Sequence, residues 1–282
     1  MSENTYRRVK RRVAAPMLLA VAAALVATTT ATAAPATATA AASTRPKPTI
    51  VLVHGAFADA SSWRGVIERL QGKGYTVVAV ANPLRDLGGD SAYVSSVLDG
   101  ITGPVVLVGH SYGGEVITNA AVGHANVKAL VYIAAYAPDQ GESGLALTGR
   151  FPGSKLGANL IVRDFPLSGG GTEQEGTVSP AAFHAVFAAD VPHGTAAEMA
   201  AAQRPVALAA LATPSGVPAW KTVPSWYLVA GSDQAIPPAA EEFMARRAGA
   251  HTIEIKGASH VVMISHPGRT ADLIVDAART TT

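Results

Sequence analysis

The pentapeptide Gly109-His110-Ser111-Tyr112-Gly113 has the spacing of a serine nucleophile on a sharp turn between a strand and a helix. A β-branched apolar run over 104–108 precedes it, and apolar residues at helical spacing follow it over 114–122. Small residues two places before and after Ser111 allow the backbone to turn that tightly. The pattern therefore predicts that the hydroxyl of Ser111 lies at a helix N-terminus, where backbone N–H groups favour developing negative charge.

A serine hydroxyl is a weak nucleophile and needs a neighbouring base to take its proton. Among the eight histidines, His260 is favoured because it follows the last predicted strand directly, in a loop from which its side chain can reach Ser111. His266 is the alternative, although the proline after it is typical of a helix start. His54 and His110 flank the proposed catalytic turns, and we expect them to bond to neighbouring loops.

The base in turn needs a carboxylate that orients its imidazole ring. Asp233 is favoured because it follows a predicted strand, after the turn-forming Gly231 and shortly before Pro237, which we expect to begin the next helix. Asp139, at the end of the preceding strand, is the alternative. The carboxylate of Asp233 would lie in a short, constrained loop at the same edge of the sheet as the serine and the histidine.

Acyl transfer also needs two backbone N–H groups that face the oxygen on which negative charge develops. The N–H of Tyr112, directly after the serine, is the first candidate. The second is expected in the turn 54–57 after the first predicted strand, where Ala56 is favoured and Phe57 is the alternative. Together these donors would form an oxyanion hole beside Ser111.

A sheet must place these residues, and the chain from Pro48 onwards alternates strand-like and helix-like segments. The predicted strands cover residues 49–53, 75–80, 104–108, 127–132, 225–230 and 252–255. The predicted helices cover residues 61–70, 91–98, 114–122, 239–247 and 267–278. Asp59 or Ser61 is expected to cap the first helix and Asp90 the second. This alternation predicts an α/β fold, a mostly parallel twisted sheet with helices on both faces.

The alternation fails over about 138–218, which we interpret as an insertion that forms a lid over the carboxyl ends of the strands. The alternative is a segment that only packs on the sheet edge. Its helices are predicted over 180–187 and 195–211. Its aromatic and aliphatic content suggests a largely apolar substrate, for which the candidate binding residues are Phe57, Phe151 and Phe187, although such aromatics are as often plain core.

Residues 1–34 have the pattern of a secretory signal, with a basic start, an apolar stretch over 14–27 and small residues suited to cleavage. That stretch is shorter than the roughly 20 apolar residues of a membrane span; an uncleaved anchor is the alternative. Residues 35–47, rich in alanine and threonine, predict a disordered linker. We therefore expect a secreted protein without stable membrane association once the signal is cleaved.

Charge and cysteine content exclude two classes of function. The net charge of +2 comes from the amino terminus, because the chain from Pro48 onwards carries 15 basic and 19 acidic side chains, a net charge of −4. A nucleic-acid partner is therefore not expected. Cysteine is absent from the sequence, so a thiolate metal site is excluded and the core alone must stabilise an exported chain.

The four motifs at 54–57, 109–113, 231–237 and 257–267 together resemble the α/β-hydrolase superfamily. The chain is most similar to its small esterases related to plant methyl-ester esterases and hydroxynitrile lyases, over 48–282, although the likeness is faint across the lid. The resemblance implies a triad in the order expected for this fold, an oxyanion hole, a small-molecule ester substrate, and no metal or organic cofactor. The triad is Ser111, Asp233 and His260, and the oxyanion donors are Ala56 and Tyr112.

The hydroxynitrile lyases differ from this chain at two informative positions. They carry a threonine where this chain has Gly55, and a lysine after the catalytic histidine where this chain has Val261. Because a lyase needs a cation to hold the departing cyanide, ester hydrolysis is favoured. Lyase or cofactor-free peroxidase activity on the same scaffold, or a catalytically retired binding protein, are the alternatives.

Overall fold

The computed structural model describes residues 46–280 of the chain. The predicted signal at 1–34 lies outside the described residues, as does the predicted linker at 35–47 except for its last two residues. The strands are β1 (Thr49–Val53), β2 (Val77–Val80), β3 (Val105–Ser111), β4 (Val127–Ala135), β5 (Leu160–Pro166), β6 (Thr172–Val178), β7 (Val206–Ala207), β8 (Ser225–Ala230) and β9 (His251–Ile255).

Helices connect most of these strands. They are α1 (Arg64–Gly72), α2 (Leu87–Asp99), α3 (Tyr112–Ala120), α4 (Gly144–Arg150), α5 (Pro180–Phe187), α6 (His193–Ala202), α7 (Leu208–Ala212), α8 (Pro238–Arg247), α9 (Val262–Ser265) and α10 (Pro267–Arg279). In the described range 46–280, no helix is long and apolar enough to cross a membrane.

Six strands form a parallel sheet in the order β2-β1-β3-β4-β8-β9, which confirms the predicted fold class. The two central strands, β3 and β4, are buried almost throughout because helices cover both faces of the sheet. Their side chains form the middle of one continuous core. Because the strands are parallel, the carboxyl ends of β3 and β8 lie at the same edge of the sheet, where the predicted site lies.

The second helix begins earlier than predicted, and its cap is a different residue. Asp86 caps α2 by accepting a hydrogen bond from the N–H of Gly89 at 2.6 Å. Asp90, the predicted cap, lies within the helix and is buried. The two glycines in the first turn concealed the start of this helix, because glycine is a poor helix former.

The insertion between β4 and β8 contains an antiparallel sheet in the order β5-β6-β7, which the sequence analysis did not predict. Most of β5 is exposed, so its side chains do not alternate in hydrophobicity. Gly170 and Gly171, with φ of +88° and +85°, form the turn between β5 and β6. The helix predicted over 195–211 is wrong, since β7 pairs with β6 and divides it into α6 and α7.

A buried carboxylate joins this insertion to the main sheet. Glu175 of β6 is 3% exposed and binds Arg85, from the loop between β2 and α2, at 2.6 Å. It also binds Arg163 of β5 at 2.7 Å. Burial alone would raise the pKa of Glu175, but the hydrogen bonds and positive charges of the two guanidinium groups outweigh burial and lower it.

We expect Glu175→Ala to lower the free energy of unfolding by about 1–2 kcal/mol at neutral pH, because both arginines lose their partner while staying partly solvated. A carboxyl whose pKa is lowered by folding stabilises the protein above its unfolded pKa, and this contribution is lost as the pH falls through the folded pKa. Urea unfolding at neutral and acid pH measures both effects. The variant and the wild type should become equally stable in acid.

The matched control is Glu173→Ala, two residues earlier on the same strand and exposed. It should change the free energy of unfolding by less than about 0.5 kcal/mol. An equal loss in both variants would show that the arginine pairs of Glu175 do not stabilise the insertion.

Candidate active site

Ser111 lies on the strained turn that the pentapeptide predicted, at the junction of β3 and α3. Its φ of +53° and ψ of −126° place a non-glycine residue in a region that L-residues rarely adopt. A Cβ atom added at Gly109 would lie 2.5 Å from the carbonyl oxygen of Gly113, and one at Gly113 would lie 2.5 Å from that of Val53. Side chains at either glycine would therefore prevent this turn.

Asp233 and His260 form a buried pair at the same edge of the sheet. Nδ1 of His260 lies 2.5 Å from Oδ2 of Asp233, and the two side chains are 1% and 0% exposed. The other oxygen, Oδ1, accepts hydrogen bonds from the backbone N–H groups of Ala235 at 2.6 Å and Ile236 at 2.9 Å. The carboxylate is thus fixed in orientation, and it fixes the orientation of the imidazole.

Neighbouring rings hold the imidazole of His260. The His110 and Phe187 rings lie 4.7 Å and 4.8 Å from it, and Nε2 of His110 donates to the backbone carbonyl of His260 at 2.9 Å. Burial and the nearby His260 hold the pKa of His110 well below its ordinary value, so His110 is neutral. Within the described residues Ser111 Oγ makes no hydrogen bond, as is common for catalytic groups before substrate binds.

The turn after β1 packs directly against Ser111. A Cβ atom at Gly55 would lie 2.5 Å from Cβ of Ser111, so only glycine fits there. The His54 ring secures this turn, since its Nε2 accepts from the N–H of Asn82 at 3.1 Å and its Nδ1 donates to the carbonyl of Gly55 at 2.9 Å. Burial lowers the pKa of His54, which keeps the ring neutral.

The two predicted oxyanion donors flank Ser111. The N–H of Tyr112 is at the first position of α3, where it has no partner within the helix. Neither this N–H nor that of Ala56 donates a hydrogen bond to another described residue, so both are free to bind a ligand. Phe57, the alternative donor, has a φ of +60° in the same turn.

Asp90 is a site residue that the sequence analysis assigned wrongly. The Tyr112 hydroxyl donates to its Oδ2 at 2.8 Å, and the N–H of Arg85 donates to its Oδ1 at 3.2 Å. Burial, as the largest cause, raises the pKa of both Asp90 and Tyr112. This bond ties the residue after the serine to α2, and only the pairing of distant elements reveals it.

An apolar cavity of about 100 Å³ opens beside Ser111. Its wall combines the oxyanion turn and the insertion: Ala56, Phe57, Tyr136, Leu145, Thr148, Ser154, Leu156, Gly157, Leu160, Leu211, Ala235 and Ile236. Phe57, one of the three predicted substrate-binding residues, thus lines this cavity. Phe187 is buried against Phe57 and His260, behind the wall. Phe151 packs on Phe243 and does not line the cavity.

The alternative acid and base have other partners. Oδ1 of Asp139 lies 2.5 Å from Nζ of Lys221. His266 lies beside Ser265, at 2.9 Å, and Asp190, at 3.7 Å. Asp190, from the insertion, also accepts a hydrogen bond from the hydroxyl of Ser259. Neither alternative lines the cavity at the serine. The described part of the chain contains no cluster of three or more side chains that could hold a metal ion.

A further buried acid, Glu115, lies in the helix that begins at the serine. It is fully buried, and its carboxyl accepts hydrogen bonds from the N–H of Gly144, at the start of α4, at 3.2 Å and 3.3 Å. Burial raises the pKa of Glu115 well above its ordinary value, and the Gly144 bond offsets this only in part. Burial therefore favours the protonated form of this carboxyl in the folded protein.

We expect Glu115→Gln to make stability less dependent on pH. A carboxyl whose pKa is raised by folding binds its proton more tightly in the folded state, so stability falls as the pH rises above the unfolded pKa. Between pH 5 and pH 8 the wild type should lose about 1–3 kcal/mol more than the variant, which cannot ionise. Urea unfolding at both pH values measures this, with the exposed Glu68→Gln as control. An equal pH dependence in wild type and Glu115→Gln would contradict the protonated state.

The chain is similar to known proteins over most of its length. Residues 50–273 match the alpha/beta hydrolase family. The chain is 27% identical over 259 residues to alpha/beta hydrolase nvfD of Aspergillus novofumigatus (strain IBT 16806), covering 82% of this chain and 97% of that protein. It is 31% identical over 124 residues to a carbendazim hydrolyzing esterase of Nocardioides sp. (strain SG-4G), covering 39% of this chain and 51% of that protein.

A solved structure of a methylesterase protein from Arabidopsis superposes with a TM-score of 0.67 at 18% identity, covering 83% of this chain and 99% of that one. This likeness is one of fold, in agreement with the resemblance to methyl-ester esterases. The family match spans most of the chain, from the first strand to the last helix. The chain therefore belongs to the alpha/beta hydrolase family, and its named relatives include an esterase.

Proposed function

We propose that this protein is a serine hydrolase that cleaves carboxylic esters through an acyl-enzyme on Ser111. The observation that carries the proposal is the buried pair of Asp233 and His260, 2.5 Å apart, at the sheet edge where Ser111 occupies its strained turn. A carboxylate that two backbone N–H groups hold in a confined loop is suited to orient an imidazole. The esterase among the relatives supports the same reaction class.

In the proposed mechanism His260 takes the proton of Ser111 as its oxygen attacks the ester carbonyl carbon. Asp233 holds the proton on Nδ1, leaves Nε2 to act as the base, and stabilises the imidazolium that forms. The tetrahedral oxyanion is bound by the N–H groups of Ala56 and Tyr112. His260 then gives its proton to the departing alcohol, and water repeats the cycle on the acyl-enzyme.

The cavity beside Ser111 favours a short, apolar acyl group. Its volume of about 100 Å³ is smaller than the ~150 Å³ cavity that is known to hold benzene. Residues from the insertion, including Leu145 and Leu160, line the cavity together with the turn after β1. The insertion therefore acts, in this proposal, as the lid that separates the acyl group from water.

Two features disfavour the lyase alternative. A threonine at position 55 would place its Cβ 2.5 Å from that of Ser111, so the lyase residue does not fit this turn. Val261 is fully buried and supplies no cation beside His260. Secretion through a signal in residues 1–34 is part of the proposal and rests on the sequence pattern alone.

We expect Ser111→Ala to lower kcat/KM for p-nitrophenyl acetate and butyrate by about 10⁴-fold or more, because the nucleophile is lost. A fluorophosphonate probe should label the wild type at Ser111 and leave the variant unlabelled. The control is Ser96→Ala, an exposed serine on α2, which should keep both turnover and labelling.

The outcomes separate the alternatives. Labelling of Ser111 without useful ester turnover would favour the binding protein or a lyase. Turnover that is unchanged in Ser111→Ala would remove the serine from the mechanism.

Asp233→Asn tests the assignment of the acid. The amide cannot stabilise the imidazolium and favours the wrong tautomer, so we expect kcat to fall by about 10²–10⁴-fold with little change in KM. Asp139→Asn changes the alternative acid in the same way, but it breaks only a surface pair with Lys221. Steady-state kinetics should show near wild-type kcat for Asp139→Asn, and the reverse order would assign Asp139 as the acid.

A further inference from the structure

Glu241 is a buried acid behind the proposed triad to which the mechanism gives no role. It lies in the first turn of α8 and is fully buried. Its Oε2 accepts a hydrogen bond from the N–H of Ala230, the last residue of β8, at 3.0 Å. Its Oε1 has no hydrogen-bond partner of normal geometry among the described residues.

The same backbone residue connects Glu241 to Asp233. The carbonyl of Ala230 accepts the N–H of Asp233 at 3.1 Å, while its N–H binds Glu241. Asp233 and Glu241 therefore lie in the same buried region next to the end of β8. After burial, the charge of the Asp233 side chain and a hydrogen bond with that side chain both raise the pKa of Glu241.

Among the described residues, the charged groups that act most strongly on Glu241 are acids. The tyrosine hydroxyls near it are already engaged: that of Tyr227 donates to the carbonyl of Ala135, and that of Tyr136 pairs with Thr148 at 2.6 Å. The remaining charged neighbour is Glu242, another acid, which pairs with Arg246 at the surface.

Two buried carboxyl groups in one site cannot both be ionised without a large electrostatic cost. Asp233 accepts two backbone N–H bonds and one from His260, whereas Glu241 accepts a single backbone N–H bond. The negative charge therefore resides on Asp233. Burial first, and then the charge of Asp233, raise the pKa of Glu241 well above its ordinary value, which is consistent with this distribution.

We propose that Glu241 is a positioning residue, a neutral acid whose Oε1 hydroxyl donates a hydrogen bond to the Asp233 carboxylate and so holds that carboxylate against His260. Glu241 contacts neither substrate nor Ser111 and acts only through Asp233. By sharing its proton it reduces the negative charge that Asp233 presents to the imidazole. The consequence for catalysis rests on the proposed function, whereas the protonation state of Glu241 does not.

Two variants separate the effect of the hydrogen bond that Glu241 donates from the effect of its charge. Glu241→Gln keeps a carbonyl for the Ala230 N–H and replaces the hydroxyl by an N–H donor. Glu241→Leu removes the donor at similar volume. Glu242→Gln, one residue along the same helix and half-exposed, is the control for a change of charge at the surface.

The pH profile of kcat/KM for p-nitrophenyl butyrate is the main measurement. Loss of the donor makes Asp233 more basic, which favours the imidazolium and moves the acid limb to higher pH. We expect Glu241→Leu to lower kcat/KM about threefold on the acid limb and to leave its plateau within about twofold. Glu241→Gln and Glu242→Gln should follow the wild-type profile.

Three results would overturn the proposal. If Glu241 were ionised, Glu241→Gln would remove a negative charge and move the acid limb to lower pH; this outcome decides the question even if the leucine variant fails to fold. A lower Tm in Glu241→Leu with an unchanged acid limb would show a purely structural role. A shifted acid limb in Glu242→Gln as well would indicate a general charge effect.

An NMR titration of His260 in the free proteins tests the hydrogen bond of Glu241 without relying on enzyme turnover. The imidazole should titrate at higher pH in Glu241→Leu than in wild type, and at the wild-type pH in Glu241→Gln. If the wild type shows no ester turnover, the proposed function fails, and this titration still tests the hydrogen bond of Glu241.

Discussion

The strained backbone at Ser111 is the constraint on which the rest of the site depends. A non-glycine residue at positive φ costs about 1–3 kcal/mol, and it persists only where the surrounding structure enforces it. Three glycines make this possible, since a Cβ atom at Gly55, Gly109 or Gly113 would lie 2.5 Å from a neighbouring atom. Across the sheet, the pairing of β3 with β4 shifts register between His110 and Ser111. The turn is thus held from three sides, by β1, β4 and α3.

Around this turn the protein buries several acids, which differ in the number of hydrogen bonds that they accept. Burial raises the pKa of Asp90, Glu115 and Glu241, each of which has only one or two neutral donors. Asp233, in contrast, accepts three hydrogen bonds, one of them from His260. A site of low polarity can stabilise a carboxylate in this way, whereas burial favours the protonated form of the other carboxyl groups.

The insertion completes the cavity and is tied to the sheet by polar contacts at its edges. Glu175 binds Arg85, Gly144 binds Glu115, and Asp190 binds the hydroxyl of Ser259, next to His260. Leucine side chains of the insertion line the cavity together with the turn after β1. The two parts of the site therefore have different origins: the sheet edge supplies the proposed reacting groups, and the insertion supplies part of the wall of the space beside them.

The sequence by itself determined the parallel sheet, the turn at Ser111 and the loops of Asp233 and His260, because each depends on local signals: apolar runs, glycine spacing and turn residues next to strand ends. Only the tertiary structure decided the roles of Asp90, Glu115 and Glu241, since their protonation follows from burial and from partners far along the chain. Sequence patterns also did not predict the hairpin of β5 and β6 or the break between α6 and α7. β5 is largely exposed and shows no hydrophobic alternation, and β7 has only two residues, which pair with a strand distant in the sequence.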